Sequence, residues 1–206
     1  MRTKYRQWAV DYLGEHPEVV LEKIDFSKGF FTEKPLRVEI GSGKGDFIVT
    51  MAKNHPNVHY LAVEKVRTVA GILAKKVVDE QIDNVRVFPN DIAIIFEEMG
   101  DESVDEIYLN FVDPWPKKRH AKRRLTSNSF LNEYFRVLKK GAKLIFKTDN
   151  YDLFTYSLEL IAVSSFKLVE ANYSYDGKDP FDEITEYEAD FRAENMPIYR
   201  LILEKL

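Results

Sequence analysis

Short apolar runs alternate along this chain with stretches whose apolar positions recur every three or four residues. The runs at 36–40, 58–63, 85–88, 106–112 and 142–146 are nearly continuous and too short for helices, the pattern of strands buried on both faces. Between them, 46–54, 67–80, 128–138 and 151–163 carry the helical period. Strands joined through helices pair in parallel by right-handed crossovers, which predicts an α/β fold with helices on both faces of the sheet. Two further strands, at 167–173 and 198–204, close the chain with no long helix expected between them, a pattern that favours a final hairpin. The expected sheet therefore has seven strands, mostly parallel, with an antiparallel C-terminal strand. Ahead of the first strand, 8–21 predicts a helix and 25–34 a loop, so that an N-terminal extension (1–34) precedes a single core (35–206).

With 206 residues, 45% hydrophobic and 31% charged, the chain has the composition of one soluble globular domain. No apolar run approaches the roughly 20 residues that span a bilayer. The first residues lack the apolar stretch and small-residue cleavage site of a secretory signal, and there is no cysteine for disulfides or thiolate metal sites. A cytoplasmic location is the expectation. His16, His55, His59 and His120 do not cluster at ligand spacing, and Pro56 breaks any helix that would align His55 with His59, so no metal site is expected.

The chemistry starts at Glu39, followed by the loop Gly41-Ser42-Gly43-Lys44-Gly45-Asp46. Glycines at 41, 43 and 45 let a strand-to-helix turn approach a ligand without Cβ clashes, at the position where open α/β sheets bind nucleotides. A carboxylate just before that turn would repel a phosphate and attract a cation, which favours the ammonium of S-adenosylmethionine over a pyrophosphate. Glu64 ends the second strand 21 residues beyond Gly43, the spacing of the acid that accepts hydrogen bonds from ribose hydroxyls. Asp46 stands where the dinucleotide fingerprint requires its third glycine, which demotes an NAD site. Asn90 and Asp91, after the third strand, can address an adenine amine or simply form a turn.

After the fourth strand comes Asp113-Pro114-Trp115-Pro116, where prolines on both sides of tryptophan hold an aromatic face and a carboxylate in fixed relation. The basic run begins at once. Residues 117–124 hold six lysines and arginines and no acid, although the whole chain has net charge −4. Concentrated cations on an acidic body point to a polyanion held at one place. A smaller group, Arg2, Lys4 and Arg6, lies at the start of the chain, and Asp149 adds a carboxylate after the fifth strand. The segment 176–194 is acidic, and its composition predicts exposure.

Taken together, these residues resemble the bacterial tRNA (guanine-N7)-methyltransferases over essentially the whole chain. The most specific element is the run 111–124, from Phe111-Val112-Asp113-Pro114-Trp115 through the cations; the glycine loop is shared by many methyltransferases. The resemblance implies a Rossmann-like class I fold that binds S-adenosylmethionine through Glu39, Glu64 and Asp91, alongside Gly41, Gly43, Gly45 and Asn90 from the loop reading. It implies that Asp113 lies near both cofactor and base, and that Lys117, Asp149, Thr185, Glu186, Tyr187 and Glu188 complete the substrate pocket; Asp113 is then expected to be the catalytic residue, accepting hydrogen bonds from the guanine Watson–Crick edge as the purine gains charge. Arg119, His120, Lys122, Arg123 and Arg124 would contact tRNA, whose target is a guanine in the variable loop. The enzyme would act as a monomer or homodimer.

A sulfonium methyl is already activated and guanine N7 already has an in-plane lone pair, so neither a metal nor a strong base is required. A rival reading is methylation of an exocyclic amine, because Asp113-Pro114-Trp115-Pro116 partly matches an Asp-Pro-Pro-aromatic loop. A non-catalytic RNA-binding module and an NAD-dependent enzyme compete with both.

Overall fold

The computed structural model describes residues 4–179 and 182–206. Arg2 of the N-terminal basic group lies outside them, and the side chain of Glu186 is likewise not described. The chain divides into two compact units, Met1–Gly100 and Asp101–Leu206.

The first unit holds α1 (Gln7–Glu15), β1 (Leu36–Ile40), α2 (Asp46–Asn54), β2 (His59–Val63), α3 (Arg67–Asp79) and β3 (Val85–Phe88). Its strands lie in the order β3-β2-β1, all parallel, and β2 is buried along its whole length. That burial is why the run 58–63 shows no alternation of apolar and polar residues. The predicted helix at 8–21 is cut short at Glu15, since Pro17 lacks the amide a further turn needs. Residues 19–21 pair with a strand instead. Leu21 N–H donates to Val87 O and Val87 N–H to Val19 O, so this stretch shields the outer side of β3. Helix α1 buries Ala9 and Leu13 fully. It approaches α3 so closely that a Cβ on Gly71 would fall 1.8 Å from the carbonyl oxygen of Ala9.

The second unit holds β4 (Val104–Asn110), α4 (Asn128–Val137), β5 (Leu138–Thr148), α5 (Tyr151–Ile161), β6 (Lys167–Asn172), α6 (Glu186–Ala193) and β7 (Tyr199–Glu204). The strand order is β4-β5-β7-β6, with β7 antiparallel to both neighbours. The seven strands and the antiparallel C-terminal one agree with expectation. Three features differ most. β5 begins at Leu138 because Lys139 to Ala142 belong to the register shift between β4 and β5, a bulge that reads in sequence as a Lys-Lys-Gly turn. β4 stops at Asn110 because Phe111 adopts φ +51°, outside strand geometry. The hairpin of β6 and β7 encloses an eight-residue helix, α6, which short length and acidic composition concealed.

Candidate functional site

In the first unit the register pairs Ile40 with Val63 and Val63 with Phe88, so the loops after all three strands leave along one edge. Glu39, the penultimate residue of β1, is 2% exposed. Beyond it Gly41, Gly43 and Gly45 all take positive φ, at 82°, 55° and 87°, a conformation that a side chain would strain. Space around Gly43 is open, with nothing within 4 Å of a Cβ built there, whereas Gly45 seats α2 against Leu73. Asp46 opens α2, where the positive end of the helix dipole favours an acid, and it pairs with Lys76.

Glu64 is 8% exposed and joins the two halves of this edge. Its Oε2 accepts from Gly43 N–H at 3.1 Å and its Oε1 from Val66 N–H at 2.8 Å. Both bonds come from backbone amides, so the carboxylate is held in place by the main chain of the two loops. Asn90 and Asp91 carry turn chemistry: Asn90 Oδ1 accepts from Asp91 N–H, and Asp91 Oδ1 caps the 3₁₀ turn Ile92–Ile94 through Ala93 N–H at 3.1 Å. Two buried carboxylates beside an open, left-handed glycine turn suit a ligand that brings an ammonium and hydroxyl donors. They oppose a phosphate.

In the second unit Asn110 of β4 pairs with Lys147 of β5, which puts Asp113 and Asp149 on loops at the same edge. The Asp113 loop has an unusual backbone. Phe111 and Trp115 both take left-handed φ, at +51° and +41°, on either side of Asp113-Pro114. Such a conformation costs on the order of 1–3 kcal/mol per non-glycine residue and persists only when surroundings impose it. Phe111 N–H donates to Lys147 O at 2.9 Å, and the Phe111 ring stacks on Phe191 of α6 at 5.7 Å. The Asp113 carboxylate is exposed and among the described residues takes part in no hydrogen bond or ion pair.

The basic run forms a 3₁₀ helix, Lys118–Arg123. Lys117, Lys118, Arg119, Lys122 and Arg123 are exposed, and none of them enters an ion pair among the described residues. Trp115 is half-buried beneath Arg123, whose guanidinium carbon lies 5.1 Å from the ring centre, while His120 meets it edge-on at 5.7 Å. Arg124 departs from expectation. It is 9% exposed, its Nε donates to Pro114 O at 3.0 Å and a terminal nitrogen donates to Trp115 O at 3.2 Å. Its guanidinium carbon also sits 4.1 Å from the centre of the Tyr156 ring. This side chain faces inward, unlike the exposed cations before it, and its fork is spent on backbone carbonyls and not left open to a phosphate.

The C-terminal residues also differ from an exposed acidic segment. Thr185 and Glu188 are buried: Thr185 Oγ1 caps α6 by accepting from Glu188 N–H at 2.9 Å. Threonine with glutamate three residues later is a capping-box pattern, a signal the composition masked. Glu188 completes no such box, because its carboxylate meets Lys147 Nζ at 2.9 Å and Arg192 at 2.6 Å. Lys147 also reaches Asp182 at 2.9 Å and the carbonyl of Glu183 at 3.0 Å. Burial pushes the Asp182 carboxyl up, against the pull of that ammonium. In the sequence Lys147 is legible only as a lone cation at the end of an apolar strand. Tyr187 is exposed and Asp149 half-buried.

The family model described as "Putative methyltransferase" matches residues 33–201. A tRNA (guanine-N(7)-)-methyltransferase of Lactobacillus delbrueckii subsp. bulgaricus is 42% identical, over 98% of this chain and 97% of the relative. Those of Lactobacillus johnsonii and Exiguobacterium sp. are 44% and 41% identical, over 98% of this chain and 97% and 96% of theirs. This chain belongs to the tRNA (guanine-N7)-methyltransferase family. Among solved structures, an antibiotic-related methyltransferase superposes with TM-score 0.63 at 14% identity, covering 100% of this chain and 97% of that one. A 16S rRNA (adenine(1408)-N(1))-methyltransferase with cosubstrate SAM, from Catenulisporales acidiphilia, gives 0.60 at 11% identity, covering 99% and 93%. At such identity the likeness is one of fold, and the family's fold is that of class I methyltransferases. Among the described residues no helix is long and apolar enough to cross a membrane, and no group of three acids or histidines could hold a metal ion.

Proposed function

We propose that this protein transfers a methyl group from S-adenosylmethionine to N7 of a guanine in tRNA, within the variable loop, and that its two units act as one catalytic domain. The observation that carries the reading is the segment 113–123. There an exposed carboxylate precedes five exposed cations, and none of the six has an ion-pair partner among the described residues. The family relationship supplies the chemistry to which that segment is put.

Glu39 and Glu64 would hold the cofactor, Glu39 through its ammonium and Glu64 through ribose hydroxyls, with Asp91 and Asn90 toward the adenine. When bound, the cofactor supplies a methyl group already activated on a sulfonium. Asp113 is assigned to the guanine Watson–Crick edge. The N–H donors of that edge become more acidic as the purine gains positive charge, so a fixed carboxylate binds the base more tightly toward the transition state. Asp149, Lys117, Thr185 and Tyr187 are assigned to the substrate side, while the buried Glu188 supports them through Lys147. Lys117, Arg119, Lys122 and Arg123, with His120, are assigned to the phosphate backbone, where they give salt-dependent affinity and little sequence information. In A-form RNA the groove that carries N7 is too deep and narrow for side chains, so the target must sit in looped or irregular RNA.

Incubating the protein with S-adenosylmethionine and unmodified tRNA, then identifying the methylated nucleoside by mass spectrometry, tests this directly. The expected product is 7-methylguanosine. A base methylated on an exocyclic amine, or no methylation at all, would refute the proposal.

A further inference from the structure

The last arginine of the basic run is built differently from its neighbours. Resting on the methyl-transfer function proposed for this site, we infer that Arg124 is a positioning residue that fixes the Asp113 loop. A buried guanidinium is costly unless its donors are satisfied. Here Nε and a terminal nitrogen bond the carbonyls of Pro114 and Trp115, the two residues after Asp113. The guanidinium carbon lies over the Tyr156 ring of α5, 4.1 Å from its centre, a contact that helps hold the fork toward those carbonyls.

The loop needs such a brace because its backbone is strained. Phe111 and Trp115 hold left-handed φ without being glycine, so the loop between them would relax if released. One end is pinned by Phe111 N–H on Lys147 O. The other end has Arg124. The backbone of Arg124 is itself fixed at the junction of the 3₁₀ helix and α4: its N–H donates to Ala121 O, and its carbonyl accepts from Ser127 N–H at 2.9 Å. A side chain placed this way transmits the rigidity of α4 and α5 to the position of the Asp113 carboxylate.

The distinguishing substitution is Arg124→Lys, which keeps the charge but lacks the planar fork that spans two carbonyls. If Arg124 positions, the single-turnover rate at saturating tRNA falls by about 10- to 100-fold, as expected for a catalytic group misplaced by about 1 Å. The tRNA dissociation constant and its dependence on salt stay as in the wild type. Arg123→Ala gives the contrasting signature, weaker binding and a shallower salt slope. A wild-type rate in Arg124→Lys would overturn the inference, and so would a shallower salt slope.

A second variant covers the case in which Arg124→Lys fails to fold. Tyr156→Ala removes only the surface under the guanidinium and should lower the single-turnover rate with an unchanged salt slope; an unchanged rate contradicts the role. Loop order can also be read without turnover. The chain has two tryptophans, so in a Trp8→Phe background Trp115 reports alone. Its fluorescence anisotropy should fall in Arg124→Lys or Tyr156→Ala, and constant anisotropy would sink the proposal. Failure of the wild-type protein to methylate tRNA would refute the functional reading and leave this loop measurement standing.

Discussion

Lys147 Nζ lies 2.9 Å from a Glu188 carboxylate oxygen, and neither side chain is exposed to any extent. The same ammonium bonds Asp182 at 2.9 Å, while the backbone carbonyl of Lys147 takes the amide of Phe111. One residue of β5 thus ties the loop that carries Asp113 to the segment that carries Thr185 and Tyr187.

Removing that ammonium takes the buried counter-charge from two carboxylates, leaving Glu188 with Arg192 and Asp182 with the looser approach of Arg200 at 3.8 Å. Lys147→Met should cost about 3–5 kcal/mol near neutral pH, the usual consequence of orphaning buried charge. Asp182 is already pushed up by burial, and loss of Lys147 raises it further. For a group whose folded value is raised, the stability contribution is complete below its unfolded value and fades as pH rises through the folded one. The variant should therefore lose less at about pH 5 than near neutrality. Urea denaturation at both conditions checks this, and equal losses would be inconsistent with the cluster.

Glu64 offers a test of the donor side that needs no tRNA. Glu64→Gln keeps the size but removes the charge that accepts from Gly43 and Val66. Hydrogen bonds to a charged group are worth about 1.5–3 kcal/mol, so the dissociation constant for S-adenosylmethionine should rise about 10- to 150-fold by calorimetry. Undiminished affinity would remove Glu64 from the site.

Asp113 is predicted to matter for rate more than for tRNA affinity. Asp113→Asn should lower the single-turnover rate on the order of 10²- to 10³-fold, the cost of losing a group that acts on developing charge. A tRNA dissociation constant that rose by the same factor, at an unaltered rate, would make Asp113 a binding residue only.

Two glycines give a matched pair in the N-terminal helices. Gly71→Ala would drive a methyl into the Ala9 carbonyl, and such overpacking costs about 1–3 kcal/mol. Gly14→Ala, within α1, meets nothing within 4 Å and should be neutral or stabilise by up to about 1 kcal/mol through helix propensity. Thermal melts distinguish them. Equal stability of the two variants would mean that α1 is not seated on α3 as described.

The sequence by itself determined the strand cores, four of the helix starts, at Asp46, Arg67, Asn128 and Tyr151, and the location of the acids at strand ends, because buried parallel strands and the helical period are local patterns. It also marked the run 117–124, since composition alone reveals a cluster of cations without acids. Only the tertiary structure decided how those cations divide. Arg124 turns inward because a strained loop offers it two carbonyls and Tyr156 offers it a flat face, partners 9, 10 and 32 residues away that no local pattern announces. The acidic segment likewise read as exposed until Lys147, about 40 residues earlier, was found beneath it, because long-range charge pairing leaves no period in the sequence.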